Sequence, residues 1–277
     1  MQRLVESPSY SLAFDDHDFI MRHDQRSVRL QLELLKPESI LRKHAIKYTI
    51  VVFGGTRIVE PAVARARVAA LQRELQERPD DTALQRQRAI AARVLAKSRY
   101  YDAAREFARL VSESQQRGKS EYVIVTGGGP GIMEAANRGA HDAGAPSIGL
   151  NITLPTEQAP NSYITPELCF QFHYFAVRKM HFMLRAQALV AFPGGYGTLD
   201  ELFEALTLMQ TGKTRVMPVI LFGREFWDGV VDFQYLADEG TIADRDLGLF
   251  HYVETAAEAW EIIQRFHAER PPRPKKR

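Results

Sequence analysis

Short runs of apolar residues alternate along this chain with longer stretches in which apolar residues recur at helical spacing. The short runs, such as YTIVVF at residues 48–53, lack the polar alternation of a half-exposed strand. Continuous apolar runs of this kind are typical of parallel strands that are covered on both faces. We therefore predict strands at residues 48–53, 122–126, 147–153, 168–172, 188–192 and 217–222, with a short last strand near 251–253.

Helical spacing fills most of the segments between these runs. It predicts helices near residues 62–78, 82–116, 132–143, 176–186, 199–211 and 256–267. Strands that alternate with helices form parallel sheets through right-handed crossovers. The sequence thus predicts an α/β fold, a Rossmann-like open parallel sheet with helices on both faces.

Two terminal segments fall outside this alternation. Residues 1–46 contain apolar residues at helix-compatible spacing among charges, and we interpret them as an N-terminal helical extension against the sheet. Residues 268–277 form a basic tail that proline interrupts and that has nothing to bury, so we expect it to be disordered. The predicted Rossmann-like domain therefore comprises residues 47–267.

The composition, with 45% hydrophobic and 25% charged residues, is that of a globular protein and excludes a largely disordered chain. The net charge is only +2, but basic residues concentrate in the tail and in the arginine-rich stretch 64–119. That stretch fits an amphipathic hairpin with a solvated face, or else a surface for a ligand or a nucleic acid. Because no recognised nucleic-acid-reading motif is present, we do not expect a nucleic-acid partner.

No apolar run approaches the roughly 20 residues that span a bilayer, and the N-terminus lacks the apolar core of a secretory signal. We therefore expect a cytoplasmic protein without a membrane partner. The single cysteine, Cys169, cannot form an intrachain disulfide, which fits a reducing compartment. We expect its side chain to be a small buried hydrophobe rather than a reactive thiol.

The first candidate for chemistry is a glycine turn between a strand and a helix, in the sequence VTGGGPGIME of residues 125–134. Glycines let the backbone approach an anion, and the free N–H groups at the start of the helix attract it. The spacing is neither that of the dinucleotide fingerprint nor that of a Walker A loop. The sequence alone leaves open whether this turn binds phosphate or is purely structural.

A second strand also ends in a glycine turn and a helix, in the sequence FPGGYGTLDE of residues 192–201. Thr198 could cap that helix, and Glu201 three residues later matches a Thr-x-x-Glu capping box. The same carboxylate, one turn inside the mouth of an anion site, could instead grip sugar hydroxyls or a water. Two such turns in one sheet are more informative than one, because open sheets bind ligands where these loops meet.

Other residues could complete a site. The turn at residues 54–55 after the first strand could supply another wall or be an ordinary connection. Arg178 and Lys179 lie early on the next helix, where a cation can meet a phosphate, although solvated surface charge would also explain them. His173 and His181 lack companion metal ligands, so we interpret them as packing or surface histidines.

Together these motifs resemble the LONELY GUY (LOG) family, the cytokinin riboside 5'-monophosphate phosphoribohydrolases. The family's P-G-G-x-G-T-x-x-E element is present at residues 193–201, and residues 127–133 approximate its G-G-G-x-x-G-x-M element. Its Arg-Lys pair is Arg178 and Lys179. The similarity covers roughly residues 47–267, and the longer bacterial branch with an N-terminal extension is most similar.

This resemblance implies a nucleotide-binding catalytic domain in which Arg178 and Glu201 are the catalytic pair. The implied reaction hydrolyses the N-glycosidic bond of a purine or N6-prenylated adenine nucleoside 5'-monophosphate, giving free base and ribose 5-phosphate. It requires no metal or other cofactor. The substrate contacts implied by position are Gly128, Gly129, Gly131, Met133, Glu157, Lys179, Gly194, Gly195, Tyr196, Gly197, Thr198 and Thr207.

The chemistry of these residues suits that reaction. A carboxylate near the anomeric carbon, here Glu201, would stabilise positive charge on the ribose and could deprotonate the attacking water. Arg178 would orient the phosphoribosyl group or the carboxylate. The resemblance also implies a homodimer or higher homo-oligomer with the site at the subunit interface. The alternative is a non-catalytic carrier of a nucleotide or phosphate ligand, since glycine turns bind anions without cleaving them.

Overall fold

One parallel sheet organises the computed structural model, which describes residues 1–116, 121–155 and 159–269. All neighbouring strands pair in parallel, and their order is β4-β3-β2-β1-β5-β6-β7. Each predicted strand overlaps an observed one, which confirms the Rossmann-like α/β fold. The strands are β1 (Tyr48–Phe53), β2 (Tyr122–Thr126), β3 (Ser147–Ile152), β4 (Cys169–Phe172), β5 (Ala186–Ala191), β6 (Val219–Phe222) and β7 (Phe250–Val253).

Helices connect the strands and precede them. The α-helices of the described residues are α1 (Gln2–Val5), α2 (His17–Met21), α3 (Arg26–Lys43), α4 (Pro61–Glu77), α5 (Thr82–Lys97), α6 (Arg99–Gln116), α7 (Ile132–Asp142), α8 (Phe175–Leu184), α9 (Tyr196–Gln210), α10 (Arg224–Asp228), α11 (Phe233–Asp238) and α12 (Ala256–Ala268). Short 3-10 helices occupy Pro8–Tyr10, His23–Gln25, Pro166–Leu168 and Asp244–Leu249. The sequence pattern missed α10 and α11, because helices of one or two turns are too short to show a period.

The sheet separates two hydrophobic cores. In β1, Ile50 and Val52 face the core formed with α6, α7 and α12, whereas Val51 and Phe53 face the core formed with α3, α8, α9, α10 and α11. All four side chains are buried. Helical cover on both faces is therefore the reason that these strands are continuous apolar runs.

The strand order reverses beside β1. From β1 the chain builds β2, β3 and β4 on one side, and it then returns to place β5, β6 and β7 on the other. The crossovers on the two sides of such a switch point diverge, which leaves a crevice at the carboxyl ends of the central strands. Ligand-binding loops are thus expected after β1, β2 and β5.

The N-terminal residues form α1, α2 and α3, and α3 packs against the sheet domain, where it contacts α8. Its inner face packs Leu30, Leu34 and Leu41 against the core. Val28, Leu32 and Leu35 lie on the outer face and are exposed. The apolar residues that predicted a helix here therefore lie on two faces of α3. One face packs against the core, and the other is exposed in the described structure. At the other terminus, α12 extends to Ala268, so the predicted start of the disordered tail at residue 268 is wrong. Residues 270–277 of that predicted tail lie outside the described residues.

The arginine-rich stretch is not one structural unit. Helices α4 and α5 pair as a hairpin that buries few side chains, among them Leu71 and Leu84. In contrast, α6 is a core helix with Tyr101, Phe107 and Val111 fully buried. The hairpin interpretation is therefore correct for α4 and α5 and wrong for α6. The predicted continuous helix 82–116 is also wrong, since α5 ends at Lys97 and Ser98 separates it from α6.

Two expectations about exposure have different outcomes. In the parts of the chain that the structure describes, no helix is both long and apolar enough to cross a membrane. The prediction that Cys169 is buried is wrong, because β4 is an edge strand whose side chains alternate and Cys169 points outward. Its Sγ lies 3.4 Å from the Asn151 side-chain amide, and burial of part of the thiol raises its pKa.

The close crossing of α6 and α7 gives a test of the packing. A methyl group on Gly139 would overlap the backbone carbonyl oxygen of Arg105, which cannot move aside like a side chain. Alanine gains up to about 1 kcal/mol in helix propensity over glycine, but overpacking costs about 1–3 kcal/mol. We expect Gly139→Ala to lower the free energy of unfolding by about 1–2 kcal/mol in urea titrations.

The control is Gly248→Ala, since an added methyl group at Gly248 meets no atom within 4 Å. It should change the free energy of unfolding by less than about 0.5 kcal/mol. A Gly139→Ala variant as stable as this control would contradict the close crossing.

Candidate active site

A cavity of about 300 Å³ lies at the switch point of the sheet. All three glycine turns line it, through residues 54–55, Gly127 and Gly129, and Gly195 and Gly197. Arg178 from α8 and Glu201 from α9 form part of the same wall. The structure thus brings together motifs that lie more than 140 residues apart, as the topology predicts.

Backbone hydrogen bonds join the three turns into one unit. Gly55 N–H donates to the Pro193 carbonyl at 2.9 Å, and Ile132 N–H donates to the Gly55 carbonyl at 3.3 Å. Phe192 N–H donates to the Phe53 carbonyl at 2.9 Å. The turn after β1 therefore connects the turns after β2 and β5. Since Gly54 and Gly55 also line the cavity, this turn supplies a wall of the site and is not merely a connection between two elements.

A buried polar network holds the glycine turn after β2. Asn137 is fully buried, and its Oδ1 accepts from Thr126 Oγ1 at 2.7 Å and from Asn161 Nδ2 at 3.0 Å. Asn161 Nδ2 also lies 3.1 Å from the carbonyl oxygens of Gly128 and Gly129. Gly128 adopts φ +76°, a left-handed conformation that favours glycine. Sequence reasoning missed Asn137 and Asn161 because a lone asparagine has no pattern that reveals its partners.

Helix α9, which follows the glycine turn after β5, starts at Tyr196, three residues earlier than predicted. Its N-cap is Gly195, which has no side chain to cap it, and Thr198 lies buried inside the first turn. The Thr-x-x-Glu capping-box interpretation is therefore wrong, since a capping threonine would have to precede the helix. Glu201 is left free of a capping role, and the first N–H groups of α9 have no side-chain cap.

Arg178 and Glu201 face each other in a site that excludes most water. Their side chains are only 10% and 11% exposed, and Arg178 Nη1 lies 3.6 Å from Glu201 Oε1. Arg178 Nε donates to the Leu150 carbonyl at 2.8 Å, and its guanidinium lies 5.1 Å from the centre of the Phe182 ring. A methyl group at Gly127 would come within 2.5 Å of Arg178 Nη2, so glycine is needed there for the guanidinium to fit.

Burial shifts the ionisation of this pair. It raises the pKa of Glu201 from an ordinary value of 4.5 to about 7, although the Arg178 guanidinium acts in the opposite direction. Burial also lowers the pKa of Arg178, and the charge of Glu201 opposes that change. An arginine remains charged at neutral pH even so. A carboxyl group that titrates near neutrality beside a fixed cation is suited to proton transfer or to stabilising a developing positive charge.

Lys179 has a different environment from its neighbour. Its Nζ lies 2.7 Å from Asp200 Oδ2 and 3.3 Å from Glu204 Oε2. Burial lowers the pKa of Lys179, but its contacts with these two carboxylates outweigh burial and raise it overall. The lysine thus ties α8 to α9 beside the cavity.

Similarity to known proteins extends over this site. A protein-family model described as "Possible lysine decarboxylase" matches residues 133–263. A cytokinin riboside 5'-monophosphate phosphoribohydrolase of Arabidopsis thaliana is 27% identical over 175 residues, which make up 61% of this chain and 78% of that protein. One of Oryza sativa is 32% identical over 152 residues, 53% of this chain and 59% of that protein. The chain is similar to proteins of the LOG family.

A solved structure of a molybdenum cofactor binding protein from Rippkaea orientalis is also similar. It is 18% identical, with a TM-score of 0.48, and the match covers 80% of this chain and 98% of that one.

The LOG resemblance implied substrate contacts that the structure places in two groups. Gly129, Met133, Gly195, Gly197 and Thr198 line the cavity with Arg178 and Glu201. The others are not among the described lining residues. They are Gly128 and Gly131, which have left-handed φ values within the turn, Gly194, which packs on Thr198, Lys179, and the exposed Tyr196 and Thr207. Glu157 lies outside the described residues.

The raised pKa of Glu201 predicts a pH-dependent stability. Between pH 4.5 and about 7 the folded protein holds a proton on Glu201 that the unfolded chain has released. The stability associated with this proton is fully present below pH 4.5 and is lost as the pH rises to about 7. Relative to Glu201→Gln, we expect the free energy of unfolding of the wild type to fall by about 3 kcal/mol from pH 4.5 to 8.

Urea titrations of both proteins across this pH range measure the difference, and other titrating groups cancel in the comparison. A difference that stays constant with pH would show that Glu201 has an ordinary pKa.

Proposed function

We propose that this LOG relative hydrolyses the N-glycosidic bond of a purine nucleoside 5'-monophosphate, either AMP or an N6-prenylated AMP. The products are free base and ribose 5-phosphate. The observation that carries this proposal is the buried contact between Arg178 and Glu201, at the point where three glycine turns meet. The activity of the similar proteins of Arabidopsis thaliana and Oryza sativa supports the same reaction class.

In the proposed complex the 5'-phosphate lies at the turn of residues 193–197, where the first N–H groups of α9 and the positive end of its dipole favour an anion. Fixing the phosphate there converts binding energy into orientation of the ribose. Glu201 lies on the second turn of the same helix, so it is held at a constant distance from the phosphate.

Glu201 is the proposed catalytic carboxylate. As the bond to the base lengthens, positive charge develops on the ribose, and a carboxylate in a site of low dielectric stabilises that charge strongly. The same group can accept a proton from the attacking water, because its pKa of about 7 matches that task near neutral pH. Arg178 keeps the carboxylate oriented and supplies a positive charge that can contact the phosphoribosyl group.

Replacement of Glu201 tests the reaction. Glu201→Ala should lower the rate of base release by about 10³-fold, because it removes the charge that the transition state requires. Binding of the nucleotide, measured by calorimetry, should remain. Chromatography of free adenine or prenyladenine from AMP, prenyl-AMP, GMP and CMP measures the reaction and identifies the preferred base.

The matched control is Glu204→Ala, which removes a glutamate one turn further along α9 that contacts Lys179 outside the cavity lining. It should retain most of the activity, because Lys179 keeps its shorter contact with Asp200 at 2.7 Å. Near-normal turnover by Glu201→Ala would contradict the proposal. A wild-type protein that binds AMP without releasing adenine would instead support a non-catalytic carrier.

We further propose that the chain acts as a homodimer or higher homo-oligomer with the site near the subunit interface. Exposed apolar side chains on α8, the helix that carries Arg178, support this. Phe175 lines the cavity, and Met180 and Leu184, one turn apart, form an exposed apolar face further along the helix. An exposed apolar face on this helix is suited to a second copy of the chain.

Leu184→Glu should therefore shift the mass measured by light scattering towards the monomer and lower the activity, since a buried unpaired charge opposes association. Val63→Glu on the α4–α5 hairpin is the control, because Val63 is equally exposed, at 55% against 54% for Leu184. A wild-type monomer with full activity would refute an interfacial site.

A further inference from the structure

Helix α3 of the N-terminal segment contacts both ends of α8, the helix that carries Arg178. Two carboxylates of α3 make these contacts, Glu33 at the start of α8 and Glu38 at its end. Arg178 lies between the two contact points. The N-terminal segment is outside the part of the chain that carries the LOG motifs, yet it touches the element that holds a central residue of the site.

At the start of α8, Glu33 binds the backbone of the two residues that lead into the helix. The N-cap residue Tyr174 makes no side-chain capping bond of its own. Instead, Glu33 Oε1 accepts from His173 N–H at 2.8 Å, and Oε2 accepts from Tyr174 N–H at 3.1 Å. A negative charge at this end also complements the helix dipole. Arg29 adds a bond from its Nε to the Tyr174 hydroxyl at 3.3 Å.

At the end of α8, the C-cap residue Arg185 is held by a bidentate contact. Its Nη2 donates to Glu38 Oε2 at 2.9 Å, its Nη1 pairs with Glu38 Oε1, and its Nε donates to the Ile46 carbonyl at 3.0 Å. The Arg185 contact lowers the pKa of Glu38, so the carboxylate is ionised at neutral pH. Bidentate pairs of this kind restrict orientation as well as distance.

A third contact lies between these two. The His181 side chain is fully buried, and its Nε2 lies 3.3 Å from the Glu33 carbonyl oxygen. The three contacts together fix the position of α8 along its axis and its rotation about that axis. Rotation matters for the site, because Arg178 must point between the Leu150 carbonyl and Glu201.

We propose that Glu33 is a positioning residue, which holds α8 from α3 so that Arg178 meets Glu201 in the cavity. The expected effect on kcat rests on the proposed function. A displacement of about 1 Å in a catalytic group can cost up to about 100-fold in rate. Loss of Glu33 releases the end of α8 that lies one turn from Arg178, so orientation is lost while the phosphate-binding turn is untouched.

The test compares Glu33→Ala and Glu33→Gln with Glu258→Ala in the full chain. Glu258 is a matched control, because its carboxylate accepts two backbone N–H bonds, from Glu254 and Thr255 at 3.0 Å each, at the start of α12. Both alanine variants should lower Tm by about 2–4 °C. Only the Glu33 variants should lower kcat, by about tenfold or more for alanine and less for glutamine, with KM nearly unchanged.

Hydrogen exchange supplies a readout that does not depend on activity. The amides of residues 173–178 should exchange about tenfold faster in Glu33→Ala and at the wild-type rate in Glu258→Ala. Normal exchange there, or faster exchange with an unchanged kcat, would overturn the positioning role. If the wild type releases no base, the proposed reaction fails, and exchange alone then decides whether Glu33 holds α8. Glu33→Gln provides the same comparison if the alanine variant does not fold.

Discussion

The contact between Arg178 and Glu201 places a guanidinium and a carboxyl group where water is largely excluded. Taking a carboxylate out of water is costly, and the attraction of a neighbouring cation can offset only part of that cost. The surrounding structure accommodates both: the Leu150 carbonyl accepts from the guanidinium, and Gly127 leaves space for it. The Arg178 charge offsets only part of the effect of burial on the Glu201 carboxyl group, and the pKa of Glu201 is therefore raised to about 7.

This contact depends on the position of two helices relative to one sheet. Glu201 is carried by α9, whose start is fixed by the turn after β5, and that turn is bonded to the turn after β1. Arg178 is carried by α8, which begins after the edge strand β4. The carboxylates of α3 and the pairing of Lys179 with Asp200 and Glu204 hold α8 from two sides.

The glycines around the cavity are explained by different structural requirements. At Gly128 the backbone needs a left-handed φ, at Gly127 a side chain would displace Arg178, and at Gly195 and Gly197 an added methyl group would meet no protein atom within 4 Å. The last two glycines border open space, which is the geometry expected where a ligand approaches the backbone. The spacing of the glycines in the sequence does not distinguish these requirements.

The sequence by itself determined the parallel sheet and the two main glycine turns, because strands covered on both faces leave long apolar runs and strand-turn-helix connections leave glycines at fixed places. It also indicated Arg178 and Glu201, through motifs that recur in one family. Tertiary structure alone decided the rest. The helix start at Gly195 removed the capping role of Glu201, and the edge position of β4 exposed Cys169. The partners of Asn161 and Glu33 are up to 141 residues away, and hydrogen bonds between such distant residues follow from packing geometry, which no local pattern encodes.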